Sequence, residues 1–141
     1  MDQFKNLDVS ASGIRANREW MEVISSNIAN SKTTKTPDGG PYKGKIVSFA
    51  ETLNTVNQQN PNVSKGAGVK VASVTPDESP FISLYYPSHP DANKEGYVLF
   101  PNVNPMQEMA NMVMATRSYE ANVSAFSTSK NMYLKALEIG R

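Results

Sequence analysis

The chain has 141 residues and a mass of 15.4 kDa, enough for one ordinary domain and too short for a multidomain enzyme. Hydrophobic residues make up 39%, charged residues 19% and mean hydropathy is -0.45, so the chain can bury a modest core and not a large one. Fourteen Lys and Arg against thirteen Asp and Glu leave a formal charge of +1, which gives no whole-molecule field for nucleic acid or anionic membrane. Zero cysteines exclude disulfides, thiolate zinc sites and a cysteine nucleophile.

The opening MDQFKNLDVSASG lacks a basic n-region, an apolar h-region and a small-residue cleavage site, so it does not read as a Sec signal peptide. No run approaches the roughly 18 apolar residues of a membrane span, and no membrane insertion is expected. Composition alone points to a cytoplasmic address.

Leu7, Ile14, Met21 and Ile28 recur every seven positions with Phe4, Ala11 and Ile24 beside them, and Lys5, Asp8, Arg15, Arg18, Glu19 and Glu22 lie between. That pattern predicts an amphipathic helix over 3–30, the N-terminal unit 1–30. Gly13 in its interior implies either close helix packing or a hinge. Residues 31–44 are polar and rich in Gly and Pro, which predicts a loop. Its lysines, with Lys45, are not accompanied by stacking aromatics, so a solvated loop is expected and no nucleic-acid site.

Four β-branched or aromatic runs follow, at 45–49, 69–74, 81–86 and 97–100, each bounded by Gly, Pro, Asn or Asp. They predict three or four strands of one small β module over 45–103, with a mobile polar loop over 54–68. Asn104, Pro105 and Gln107 then supply an N-cap, a first-turn proline and the third residue of a capping box. No Gly or Pro intervenes before Gly140, so 104–141 reads as a helix of about 35 residues, roughly 50 Å long, closed by a C-cap glycine. Met109, Met112, Thr116, Tyr119, Val123, Phe126, Lys130, Tyr133 and Leu137 alternate by three and four, a coiled-coil seam. The fold class is therefore mainly α with a small β module, the long terminal helices packed as an antiparallel coiled-coil pair around short middle strands.

Candidate chemistry is sparse. His89 is the single histidine, and Ser88 and Asp91 beside it suggest a hydrolase triad, but three neighbours on one Pro-flanked loop seldom converge. Asp77 with Glu78, or Asp91 with Glu95, match no calcium-loop spacing. Gly39 with Gly40, and Gly66 with Gly68, lack the strand before and helix after that a phosphate cradle needs. Met106, Met109, Met112 and Met114 read as adaptable packing, not metal ligands. No catalytic, cofactor or metal residues are assigned, and no enzyme activity is expected. Two long amphipathic helices exceed what a small β module needs as cover, and an exposed seam calls for other subunits. A head-to-tail contact that does not close builds a filament.

These segments resemble a known family. Ala29, Asn30, Thr33 and Thr34 reproduce the helix-ending Ala-Asn dipeptide and Thr-rich turn of the flagellar rod and hook proteins. The usual Gly-Tyr is replaced by Thr36-Pro37-Asp38-Gly39-Gly40-Pro41-Tyr42, a departure typical of the proximal-rod branch. His89-Pro90-Asp91-Ala92, Gly96-Tyr97-Val98, Pro101-Asn102-Val103-Asn104, Glu108-Met109, Arg117, Tyr119-Glu120-Ala121-Asn122 and the closing Ala136-Leu137-Glu138-Ile139-Gly140-Arg141 are similar to the same branch. The match covers about two thirds of the chain, at its two ends, and residues 50–65 carry no family signal.

The resemblance implies a structural subunit of the flagellar basal-body rod that polymerises through its terminal helices and transmits torque for motility. It implies export by the flagellar type III apparatus without a cleaved signal, placement in the periplasmic rod, and partners that are copies of itself and other rod proteins. This replaces the cytoplasmic expectation. Interface candidates are Leu7, Ile14, Met21 and Ile28 on one helix, Met112, Tyr119, Val123, Phe126 and Tyr133 on the other, and Asn27, Asn30 and Arg117 for polar contacts. Packing within one chain accounts for the stripes equally, and helix capping for Asn30. Another short rod or hook subunit, or a secreted coiled-coil adaptor that does not polymerise, are the alternatives.

Overall fold

The computed structural model describes residues 3–54 and 65–139. The predicted first helix is α1, Gln3–Ala29. It stops where short polar side chains compete for the last carbonyls: Asn30 Nδ2 donates to Ser26 C=O at 2.9 Å and Ser31 Oγ to Ile28 C=O at 2.7 Å. The following loop is closed by its own backbone, with Thr36 N–H on Gly40 C=O at 2.8 Å and Tyr42 N–H on Thr33 C=O at 3.0 Å. Gly39 and Gly40 sit at φ of 84° and 83°, a left-handed pair that side-chain-bearing residues resist.

The middle strands form two separate antiparallel hairpins. β1 (Lys45–Asn54) pairs with β2 (Lys65–Pro76), and β3 (Ile82–Tyr85) pairs with β4 (Tyr97–Phe100). Pro76 and Pro80 bracket the segment between them, and lacking N–H donors they cannot extend β2 into a common sheet. Asn102 joins the hairpins instead. Its Oδ1 accepts from Gly44 N–H at 2.8 Å and its Nδ2 donates to the carbonyls of Asp77 and Ser79 at 3.0 and 3.1 Å. The loop expected over 54–68 needs correction: residues 55–64 lie outside the described residues, and Asn54 and 65–68 belong to the strands. Polar composition misled there, because backbone pairing between the two strands does not depend on apolar side chains.

The C-terminal helix is α2, Pro105–Ile139. Asn104 caps it, Oδ1 accepting from Met106 N–H at 3.0 Å and Gln107 N–H at 3.4 Å. Gln107 does not complete a reciprocal box, since its Nε2 donates forward to Asn111 Oδ1 at 3.3 Å. Gly140 lies outside the described residues. The helices run antiparallel: Asn27 meets Glu108, Thr116 Oγ1 reaches Met21 Sδ at 3.8 Å, and Gly13 faces Asn122. Gly13 is thus a close-packing position in an unbroken helix. At that register about two turns of α2 run past Gln3.

The face of α2 turned to α1 differs from the predicted seam at four of its nine members. Met112, Thr116, Tyr119, Phe126 and Tyr133 are half-buried as expected, and Ala115 is fully buried. Glu108, Asn122 and Ser129 take the alternate positions, while Met109, Val123, Lys130 and Leu137 are exposed. Small and polar residues sit between the larger ones where the helices come closest, Asn122 packing directly on Gly13. The buried apolar set among the described residues, Ala16, Ile24, Val98, Pro101, Val103 and Ala115, is small and spans both helices, β4 and the turn after it.

Candidate assembly surfaces

Four elements meet at Asn27, which is 4% exposed. Its Oδ1 accepts from Lys45 N–H at 2.9 Å and from Tyr42 Oη at 3.0 Å. Its Nδ2 donates to Lys45 C=O at 2.9 Å and Glu108 Oε2 at 3.3 Å. This candidate polar contact residue therefore directs its four bonds inward. A second tie lies further along α1: buried Ser12 donates to Val9 C=O at 2.7 Å and accepts from Val69 N–H of β2 at 3.0 Å. The pattern of apolar residues signals neither Ser12 nor Asn102, because a buried polar side chain leaves no period in a sequence.

The other interface candidates divide by location. Leu7, Ile14, Met21, Ile28 and Asn30 are half-buried, as are Met112, Tyr119, Phe126 and Tyr133. Val123 is exposed, and so is Arg117, whose guanidinium pairs with Glu120 at 3.1 Å. Beyond these, α2 exposes Met106, Met109, Val113 and Met114 along its first turns, and Leu134, Leu137 and Ile139 near its end. The β3–β4 hairpin also exposes Ile82, Leu84 and Leu99.

The chemical candidates do not assemble into a reaction centre. His89 Nδ1 accepts from Asp91 N–H at 3.1 Å, leaving the Asp91 carboxylate at 3.9 Å, too far to orient the imidazole as a triad requires. Asp91 Oδ2 accepts instead from Thr34 Oγ1 at 2.7 Å, tying the Thr-rich turn to this loop. Asp77 accepts from the hydroxyl and N–H of Ser79, which hold its carboxyl below the usual range. Gly39 and Gly40 precede a strand, and Gly68 lies within β2. Among the described residues, no group of three His, Asp or Glu side chains is placed to hold a metal, and no helix is long and apolar enough to cross a membrane.

A pair of long terminal helices with an apolar face left open, carrying hairpins braced by side-chain amides, defines a structural assembly subunit. Residues 7–35 match the family described as flagella basal body rod protein, and residues 94–139 the one described as flagellar basal body rod FlgEFG protein C-terminal. The chain is 46% identical to flagellar basal-body rod protein FlgC of Bacillus subtilis, with 100% of each chain covered. It is 42% identical to FlgC of Borreliella burgdorferi over 99% of this chain and 98% of that one, and 40% identical to FlgC of Escherichia coli O6:H1 over 95% of each. The chain belongs to the FlgC family of flagellar basal-body rod proteins. It is a structural subunit of the flagellar basal body, not an enzyme, and assembles with other rod components in the service of motility.

Proposed function

We propose that this subunit polymerises through its terminal helices, with copies of itself and with other rod proteins, into a shaft that transmits torque. In this reading the flagellar type III apparatus exports it without a cleaved signal, and it works in the periplasmic rod. One observation carries the proposal: α2 has 35 residues and buries only Ala115 completely. Burying a large apolar side chain contributes about 1.5–3 kcal/mol, so neighbours that cover several of the exposed ones gain substantial binding energy. Contacts between unlike faces repeat without closing, and such repetition extends an axial structure.

The interface residues are proposed to be Leu7, Ile14, Met21 and Ile28 on α1, and Met112, Tyr119, Val123, Phe126 and Tyr133 on α2. Half-burial leaves each of these stripes area for a second contact, and Val123 is open along its side. Asn30 and Arg117 are proposed polar contacts at the flanks. Charged replacements at Phe126 or Ile14 are expected to abolish motility and rod assembly while the protein is still made and exported. Val113→Asp, at a residue 62% exposed, is expected to do so without lowering the stability of the free chain. Normal swimming and intact rods in all three variants overturn the interface assignment.

A further inference from the structure

We propose that Asn27 is the positioning residue of the subunit: its amide acts as a strand neighbour for Lys45 and fixes the β1–β2 hairpin along α1 before the subunit meets another. Asp77 N–H donates to Gly44 C=O at 2.6 Å, so that carbonyl faces β2. Backbone groups of successive strand residues face opposite edges, and those of Lys45 therefore point away from β2. On that edge stands Asn27, accepting from Lys45 N–H and donating to Lys45 C=O, both at 2.9 Å. One side chain thus makes the pair of bonds that a residue of a neighbouring strand would make. Its remaining bonds, from Tyr42 Oη and to Glu108 Oε2, tie the loop and α2 to the same point. The role needs a donor and an acceptor on one short planar group, which neither Asp nor Leu supplies.

The spacing of a second tie makes the attachment rigid. Ser12 accepts from Val69 N–H, and Val69 is the β2 partner of Glu51. Ser12 to Asn27 spans about 22 Å at 1.5 Å per helical residue, and Lys45 to Glu51 about 20 Å at 3.3 Å per strand residue. The two lengths agree, so the hairpin lies along α1, with β1 running antiparallel to the helix and β2 also packed against it. Trp20 and Phe49 stand midway along both, in edge contact with ring centroids 5.7 Å apart. Gly68, at φ 126°, lets β2 approach Ser12, since a Cβ there would collide with the serine hydroxyl. The hairpin is a fixed rib, and every copy presents the same three-layer outline of hairpin, α1 and α2.

As a device for assembly the inference rests on the rod-subunit reading, but its test uses the free full-length chain, so either can fail while the other stands. Because the chain has no cysteine, spin labels at Ser25→Cys and Ser73→Cys report the α1–hairpin distance without background. The parent is expected to give one narrow distance distribution. Asn27→Leu and Asn27→Asp are expected to at least double its width and to speed exchange of the Lys45 amide about tenfold or more. Adding Glu108→Gln to Asn27→Asp lets the introduced amide donate to the introduced carboxylate and mends only the contact with α2, so the distribution is expected to stay broad while Lys45 C=O lacks its donor. Protection of amides 115–122 in α2 should not change in any variant. An unchanged width in both single variants, full recovery in the double variant, or equal loss of protection in α2 overturns the proposal.

Discussion

Gly13 shows how a single position can serve packing against its own helix propensity. A Cβ there would lie 2.8 Å from Asn122 Nδ2 and 3.0 Å from its Cγ and Oδ1. Alanine gains about 1 kcal/mol over glycine inside a helix, and at this site displacement of the Asn122 amide opposes the gain. Gly13→Ala is therefore expected to be more favourable by about 1 kcal/mol in an Asn122→Ala background than alone, as read from a double-mutant cycle of urea unfolding. No coupling would show that Asn122 moves aside freely. At Asp77 the Ser79 hydroxyl, then the Ser79 N–H, hold the carboxyl below its ordinary value. The folded form therefore gains stability that is present above the unfolded pKa of about 3.9 and is lost as pH falls through the depressed folded value. Water screens this exposed site and keeps the gain small. Ser79→Ala is expected to move the Asp77 titration, followed by NMR, upward toward the ordinary carboxylate range.

At the scale of elements, α2 begins where Asn104 accepts two orphan N–H groups, and the prediction of its start from Asn104 and Pro105 rests on the same chemistry. Asn104→Ala is expected to cost about 1 kcal/mol in chemical denaturation. Gln107→Ala is expected to cost much less, because its amide reaches Asn111 and not the cap. Equal losses would indicate a reciprocal box. Both helices and all four strands were legible from local pattern, since caps, prolines and apolar periods act over a few residues. The extent of β1 and β2 was not. Strand pairing sets Asn54 opposite Lys65 and Leu53 opposite Gly66, partners that no neighbour in sequence announces. Nor was the contact face of α2 fully legible: three-four alternation fixes a stripe to within one residue, and the choice between 109/123/130 and 108/122/129 depends on what the facing helix can accept.

At the scale of the whole molecule, a small buried core shared by the helices and β4 is supplemented by side-chain amides at Asn27 and Asn102 and by the hydroxyl of Ser12. These bonds join segments 18, 58 and 57 residues apart, and they hold hairpins that share no sheet. A subunit built this way keeps its outline while leaving apolar helix surface for neighbours. Near neutrality and the absence of cysteine, which first excluded partners and cross-links, suit assembly by shape. The sequence by itself determined the element types, the pairing of long terminal helices, the lack of catalytic chemistry and, through its two ends, the rod family. Those properties depend on side-chain type at short spacing. The tertiary structure alone decided that Asn27 turns inward, that the middle is two hairpins and that α2 keeps its methionine face open. Each is settled by which distant groups satisfy one another in space, and sequence spacing carries no record of that.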